Sequence, residues 1–309
     1  MAGWLKLLKR TWTEFGEDQC PRLAAALSYA TIFSIPPLLV LLLLLLGTVL
    51  DPTQVRQALE GQLSGIVGAD AARQIHQILQ SAQRPGIGRG SAALIGFGTL
   101  FVGAIGAFTE LQADLNTIWE VKPDPKKGGL RTFIVKRVLS FGLVLTIGFL
   151  LLVSFILTTA LAALGDVVAA YLPAWMSGAL LQAAGFAVSF AVITLLFALM
   201  YKYLPDAEVA WRDVWVGALA TAFLFTVGKY LIGLYLAHSN PGRSFGAAAS
   251  VILILVWVYY SANILFFGAE FTEVWASERG AGIRPKRGAV RIVIEERPMQ
   301  PPGSASAAD

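Results

Sequence analysis

Residues 21–50 read PRLAAALSYATIFSIPPLLVLLLLLLGTVL, and this stretch sets the class of the whole chain. Its second half, Leu38 to Leu46, is almost unbroken leucine and belongs in hydrocarbon. Its first half differs: Ser28, Tyr29, Thr31 and Ser34 interrupt the apolar run, and Pro36-Pro37 follow. From Leu23 the run covers about 28 residues, roughly 42 Å of helix at ~1.5 Å per residue. A hydrocarbon core is about 30 Å thick. The segment therefore crosses a bilayer with length to spare, and the spare part is polar and kinked. Pro36 and Pro37 cannot donate to the carbonyls of Ile32 and Phe33, which then need another donor or water.

Composition agrees with a polytopic membrane protein. Hydrophobic residues make up 56% of the chain, charged residues only 14%, and the mean hydropathy is +0.65. Soluble domains carry about 25% charged residues. The N-terminus MAGWLKLLKRTWTEFGEDQC is basic and has no short apolar region ending in a small-residue cleavage site, so no removable signal peptide is expected. The single cysteine, Cys20, excludes an internal disulfide and a cysteine-based metal site. His76 and His238 are far apart in sequence, so neither a metal site nor a cofactor is expected.

Apolar windows recur at about 24–50, 91–113, 138–164, 179–201, 212–237 and 246–272, each long enough to span. Turn signals divide them: Asp51-Pro52, Arg84-Pro85-Gly86, Pro123-Asp124-Pro125, Pro173, Pro205-Asp206 and Asn240-Pro241-Gly242. Of the 24 lysines and arginines, 18 fall in the N-terminal segment, the even-numbered loops and the tail, and 5 in the odd-numbered loops. The remaining one, Lys229, lies inside a span. The positive-inside rule then puts both termini in the cytoplasm. Trp119, Trp211 and Trp275 suit the inner interfacial belt.

The expected fold is all-α: a six-transmembrane-helix bundle with an amphipathic helical outer loop. Residues 1–23 form a basic cytoplasmic segment, 24–275 the membrane domain, and 276–309 a basic, mostly disordered cytoplasmic tail. The outer loop, 51–90, starts with Asp51-Pro52 and places Val55, Leu59, Leu63, Ile66 and Val67 at helical spacing. It lies on the bilayer or over the bundle mouth, or else is a lid that only packs the spans. Val290 to Ile294 could form a short strand.

Three groups of residues carry chemical interest. Lys229 stands about 17 residues into the fifth span, where a lysine costs about 2.5–3.5 kcal/mol on insertion scales. It either snorkels to headgroups or attracts an anionic headgroup moving along the bundle. The ends of spans two and six carry acids: Glu110 and Asp114 share a helix face, as do Glu270 and Glu273. They read as a proton or cation relay, as an inner gate paired with Arg22, Arg131 or Lys136, or as an ion-pair network that fixes the bundle. Ser28, Tyr29, Thr31 and Ser34, with Tyr259, Tyr260 and Asn263 of span six, could line a hydrated crevice; the competing reading is interhelical hydrogen bonding. Small residues at Gly96, Gly103, Gly106, Ala107, Gly217, Thr221 and 246–250 let helices approach closely, and would permit a homo-oligomer.

Several stretches resemble the YihY/virulence factor BrkB family of bacterial inner-membrane proteins. They are CPRLAAALSYATIFSIPPLL at 20–39, GAFTELQADLNTIWEV at 106–121, YKYLPDAEVAWRDVWVGAL at 201–219, GKYLIGLYL at 228–236 and SFGAAASVILILVWVYYSANILFFGAEFTE at 244–273. The resemblance implies a six-span inner-membrane protein, an older ribonuclease BN label, serum resistance, and export of lipid or lipid A precursors. The family often has basic residues in loop four, where this chain has Asp206 and Glu208.

Function classes separate on chemistry. A nuclease needs metal-holding carboxylates or histidines where RNA can reach them; the short cytosolic segments show no such cluster, so neither nuclease activity nor a nucleic-acid partner is expected. A nucleotide-driven pump lacks its GxxxxGK[ST] loop here. The expected protein is not an enzyme. It is a transporter or translocator of an anionic, lipid-like amphipath, with membrane lipids as its partners. The alternative is a non-transporting scaffold for an envelope assembly.

Overall fold

The computed structural model describes residues 2–46, 103, 106–125, 142, 174–239 and 249–293. The outer loop 51–90, the span expected at 138–164, most of the second span, the tail beyond 293 and the side chains of Pro36 and Pro37 lie outside the described residues.

The described chain is helical: α1 (Ala2–Glu17), α2 (Cys20–Leu46), α3 (Gly106–Ile118), α4 (Ala174–Tyr203), α5 (Trp211–Ser239) and α6 (Ala249–Arg279). Four short strands join them: β1 (Val121–Pro123), β2 (Ala207–Glu208), β3 (Arg284–Pro285) and β4 (Ala289–Arg291). Among the described residues, three helical stretches are long and apolar enough to cross a membrane: Leu181–Tyr203, Trp211–Ile232 and Val251–Arg279. They fall on the fourth, fifth and sixth apolar windows.

The N-terminal segment, basic by composition, forms the amphipathic helix α1. Trp4, Leu5, Leu8 and Trp12 are exposed, with Lys6, Lys9 and Arg10 among them, while Leu7 and Thr11 are buried. At 100° per residue, Leu7, Thr11, Glu14 and Asp18 share the inward face. An apolar outer face fringed by lysines is the pattern of a helix lying in a membrane interface. The chain turns at Gln19, which takes a left-handed φ of 52°, and enters α2. The helix is not broken at Pro36-Pro37; α2 continues to Leu46.

Helix α6 packs against α1, α2 and α5, and α4 packs against α5. The α5–α6 contact is a reciprocal one between small residues. Gly217 of α5 receives Thr272 of α6, and Gly268 of α6 receives Thr221 of α5, so close that a Cβ at either glycine would overlap the threonine hydroxyl. Thr272 donates to the carbonyl of Gly268 at 2.6 Å, which turns its hydroxyl inward and lets the backbones approach. Tyr201 of α4, fully buried, donates to the carbonyl of Leu265 at 2.7 Å and joins the third helix to this pair.

The tail departs from the disordered segment expected from composition, as far as it is described. α6 runs to Arg279, and the following residues pair with two loops: β4 with β1 and β3 with β2, both antiparallel. Gly282 and Gly288 supply the positive φ values (71° and 87°) that let the tail turn between these pairings. The tail thus bridges the turn after α3 and the turn between α4 and α5. Lys286 reinforces the second attachment by donating its Nζ to the carbonyl of Pro205 at 2.6 Å.

Candidate functional site

Lys229 lies on α5 and is exposed, with its ammonium 5.6 Å from the centre of the Tyr230 ring. It borders a cavity of about 470 Å³ between α4 and α5. Gln182, Ser189 and Thr226 give this hollow polar lining, and Phe186, Phe190 and Tyr230 give it aromatic lining. A second cavity of about 500 Å³ opens at the other end of the same helix pair, where Lys202, Arg284 and Lys286 line it with Glu208. Lys202 reaches it by donating to the carbonyl of Val209 at 2.6 Å and standing 5.6 Å from the Trp211 ring centre.

The acids form a second site, at the junction of α1, α2, α3 and α6. Glu270 is 0% exposed. Its Oε1 accepts a hydrogen bond from the Cys20 thiol at 3.3 Å, and the Asp18 carboxyl stands in hydrogen-bonding contact with it. Glu273, one helical turn on, is half-buried beside it. Glu14, which no sequence motif marks, comes in from α1: one oxygen each of Glu14, Glu270 and Glu273 lies within 4.8 Å of the others. Asp18, equally unmarked, lies in hydrogen-bonding contact with Glu270; burial pushes its carboxyl up to about 6 against the lowering effect of that hydrogen bond, and the fields of Glu120, Glu14 and Glu17 add to the rise. Burial, then the field of Glu270, holds the Cys20 thiol well above its ordinary range, so it stays protonated and can donate.

Asp114 approaches the same junction from α3, where its field acts on the Cys20 thiol, and Glu110 lies one helical turn before it. Asp114 is buried, and its Oδ2 lacks a hydrogen-bond partner. The two acidic patches are therefore neighbours across α2, with Cys20 between them. Among the described residues the cation that pairs with an acid of this junction is an arginine, but not one of those expected. Arg22 is exposed, and Arg131 and Lys136 lie outside the described residues. Arg10 instead donates from Nε to Glu14 at 2.7 Å and approaches Glu278 at 3.6 Å. No metal-spaced cluster was expected from sequence; this one is built from carboxylates on distant helices rather than from a local motif.

The polar stripe of α2 does not gather in one groove. Ser28 and Thr31 each return a hydroxyl to the carbonyl four residues back, at 2.7 Å. Ser34 is buried and accepts from the backbone N–H of Ala107 at 2.9 Å, joining α2 to α3. Tyr29 is 66% exposed and packs on Phe33. In α6, Tyr259 is exposed, Asn263 donates to the carbonyl of Tyr259 at 2.8 Å, and Tyr260 packs onto Gly228 of α5. Helical geometry explains the scatter: positions 28, 29, 31 and 34 span more than half the circumference at 100° each.

Two further residues differ from their expected roles. Trp119 is not part of an interfacial belt; it is buried and donates its indole N–H to the carbonyl of Ala269 at 3.2 Å. Asp206 of loop four faces Asn116: the amide donates to Asp206 Oδ2 at 3.0 Å, and the Asp206 N–H donates back at 2.7 Å. Loop four is thus tied to α3 through an acid, a structural role that a basic residue could not fill.

Comparison with known proteins places these features in a family. The family described as Virulence factor BrkB matches residues 11–292, which include both hollows and the carboxylate junction. A UPF0761 membrane protein of Azotobacter vinelandii is 31% identical over 270 residues, covering 86% of this chain and 61% of its own length. One from Rhodospirillum centenum is 30% identical over 292 residues, covering 88% and 59%. One from Psychrobacter is 27% identical over 274 residues, covering 87% and 48%. The chain thus spans about half to three-fifths of the length of these curated relatives. No solved structure matches.

Proposed function

Since this chain belongs to the Virulence factor BrkB family and is an integral membrane protein, we propose that it moves an anionic, lipid-like amphipath across the bacterial inner membrane, its headgroup following the α4–α5 face. The observation that carries the reading is the pair of hollows on that one helix pair, each bordered by cationic side chains. From Trp211 to Lys229 the helix rises about 27 Å at ~1.5 Å per residue, close to the ~30 Å of a hydrocarbon core. The two cationic stations therefore stand near opposite faces, with aromatic and apolar side chains between them for the tails. By the positive-inside count, Lys202, Arg284 and Lys286 face the cytoplasm and Lys229 the outer half. An ammonium is a compact point charge suited to a phosphate that must bind and then leave.

The test uses the purified chain in liposomes carrying fluorescent phosphatidylglycerol on one leaflet, with and without a proton gradient. The expected outcome is movement above empty vesicles. Lys229→Ala should lower that rate at least about tenfold, since about 1.4 kcal/mol of lost headgroup attraction is a factor of ten. Lys229→Arg should keep most of it, and a labelled zwitterionic lipid should move less. Equal rates with and without protein would remove the translocation reading and favour a scaffold role.

A further inference from the structure

The hollow at the α4–α5 turn has two walls that come from distant parts of the chain. One is the turn itself, with Lys202, Glu208 and Val209; the other is the tail after α6, with Ala281, Arg284 and Lys286. Strand β3 pairs with β2 so that Arg284 stands opposite Glu208, yet the two side chains form no ion pair among the described residues. Three cations therefore face one carboxylate across a seam. The other acids at this end are committed elsewhere: Asp206 to Asn116, and the buried Asp213 to the backbone N–H of Ala281 at 3.4 Å.

Part of this positive charge is left for a ligand. Lys286 spends its ammonium on the carbonyls of Pro205 and Tyr203 and contributes mainly its field. Lys202 gives one N–H to the carbonyl of Val209 and keeps the rest of its donors. Arg284 is exposed, and among the described residues its guanidinium has no hydrogen bond or ion pair. A guanidinium fork and an ammonium in one hollow suit a phosphate, which takes two parallel bonds from the first and a point charge from the second. The volume, about 500 Å³, lies within the roughly 300–1,000 Å³ of small-molecule sites. The place is also informative. The α4 span ends at Tyr203 and the α5 span begins at Trp211, and their exposed rings meet edge to face at 6.0 Å. Aromatic residues of this kind mark headgroup depth.

We propose that this hollow is a binding site for a phosphomonoester, and that the bound group clamps the tail to the α4–α5 turn. A phosphomonoester carries about 1.5 to 2 negative charges at pH 7, against about one for a phosphodiester. Three cations opposed by one carboxylate match the former; the single cation of the outer hollow, Lys229, does not. Held between Lys202 on one wall and Arg284 on the other, the anion also relieves the repulsion across the seam. The group can arrive on a lipid of the inner leaflet or on a soluble molecule. The inference rests on the reading of this hollow as a headgroup station, and not on transport.

The experiment uses the full chain in detergent with a fluorescent short-chain phosphatidic acid. Binding should saturate at one lipid per chain and be about fivefold tighter than that of phosphatidylglycerol, the size of one additional exposed ion pair. Glycerol 3-phosphate tells the two sources apart: displacement means that a free phosphomonoester suffices, and failure to displace assigns the site to a lipid. Arg284→Gln should weaken binding about fivefold with the thermal midpoint unchanged, whereas Glu208→Gln, which removes the opposing charge, should tighten it about two- to fivefold. Bound phosphatidic acid should slow proteinase K cleavage of the tail at 280–293. The inference is overturned by a lack of saturable binding, by equal affinity for the two lipids, by an Arg284→Gln variant that binds as the parent does, by a Glu208→Gln variant that binds no tighter, or by cleavage that ignores the ligand. Phosphatidylglycerol moved across liposomes by a chain with no preference for phosphatidic acid would remove this inference alone. Phosphatidic acid bound but never moved would remove translocation alone.

Discussion

Gly268→Ala adds one methyl group, and the structure says what that methyl meets. It would overlap the Thr221 hydroxyl, come within 2.9 Å of Thr221 Cβ and press on the Tyr201 hydroxyl. None of these neighbours is free to yield. The Thr221 hydroxyl donates to the carbonyl of Gly217 at 2.7 Å and stands 2.9 Å from the Tyr201 hydroxyl. Tyr201 in turn is fixed to Leu265. Helix propensity alone favours alanine over glycine by about 1 kcal/mol. Overpacking a site whose walls cannot move costs about 1–3 kcal/mol, and this contact lies at the severe end of that range. The net expectation is a loss of about 1–2 kcal/mol. Thr221→Ala on its own should cost about 1 kcal/mol for its hydrogen bonds. Combined, the two should be less harmful than their sum, because removing the hydroxyl makes room for the methyl; the coupling should be about 1–2 kcal/mol in the favourable direction. Unfolding of the four purified proteins in mild detergent measures the cycle. If Gly268→Ala is as stable as the parent, or if the double variant equals the sum within ~0.5 kcal/mol, the close-packing argument fails.

Other consequences can be checked independently. Cys20 is the only cysteine and is buried against Glu270, so maleimide should label the native protein slowly and the unfolded protein at once; rapid native labelling would contradict the burial. Asn116→Ala removes both bonds to Asp206 from a largely buried position and should cost about 1–3 kcal/mol in thermal unfolding. Arg291→Ala breaks an ion pair whose side chains are 56% and 44% exposed, and should change stability by less than about 1 kcal/mol in the same assay. Truncation after Gly280 deletes β3, β4 and the Lys286 bonds, and should raise protease cleavage in the turns at 121–125 and 204–210 while leaving the helical circular dichroism of α4, α5 and α6 in place.

About half of the carboxylate junction is legible in the amino-acid sequence. The pairs Glu110–Asp114 and Glu270–Glu273 are visible because a helix puts residues three or four apart on one face. Their meeting with Glu14 and Asp18 is not. Cys20 and Glu270 are 250 positions apart, and no periodicity reports a contact of that separation. One signal does point to Glu14: Trp4, Leu5, Leu8 and Trp12 share a face, which marks 2–17 as an amphipathic helix and puts Glu14 on the opposite, inward side. The basic charge of that segment masks the pattern. The hollows at Lys229 and Lys202 are similar cases. An intramembrane lysine is conspicuous in sequence, but the wall it faces belongs to another helix.

By itself the sequence determined the class of this protein and the position of its apolar helices. Long uninterrupted hydrophobic windows have one stable use, and 179–201, 212–237 and 246–272 lie within or along α4, α5 and α6. Hydrophobicity and turn chemistry are local properties, so they can be read residue by residue. Tertiary structure decided everything that depends on which faces meet. It buried Ser34 and Trp119 against neighbouring backbones, turned Tyr29 outward, folded the tail onto two loops, and brought a carboxylate from α1 to two on α6. The physical reason is that a helix fixes the angle between its own side chains but not the neighbour they point at. That neighbour is set by close packing at Gly217 and Gly268 and by the few polar bonds that cross between helices.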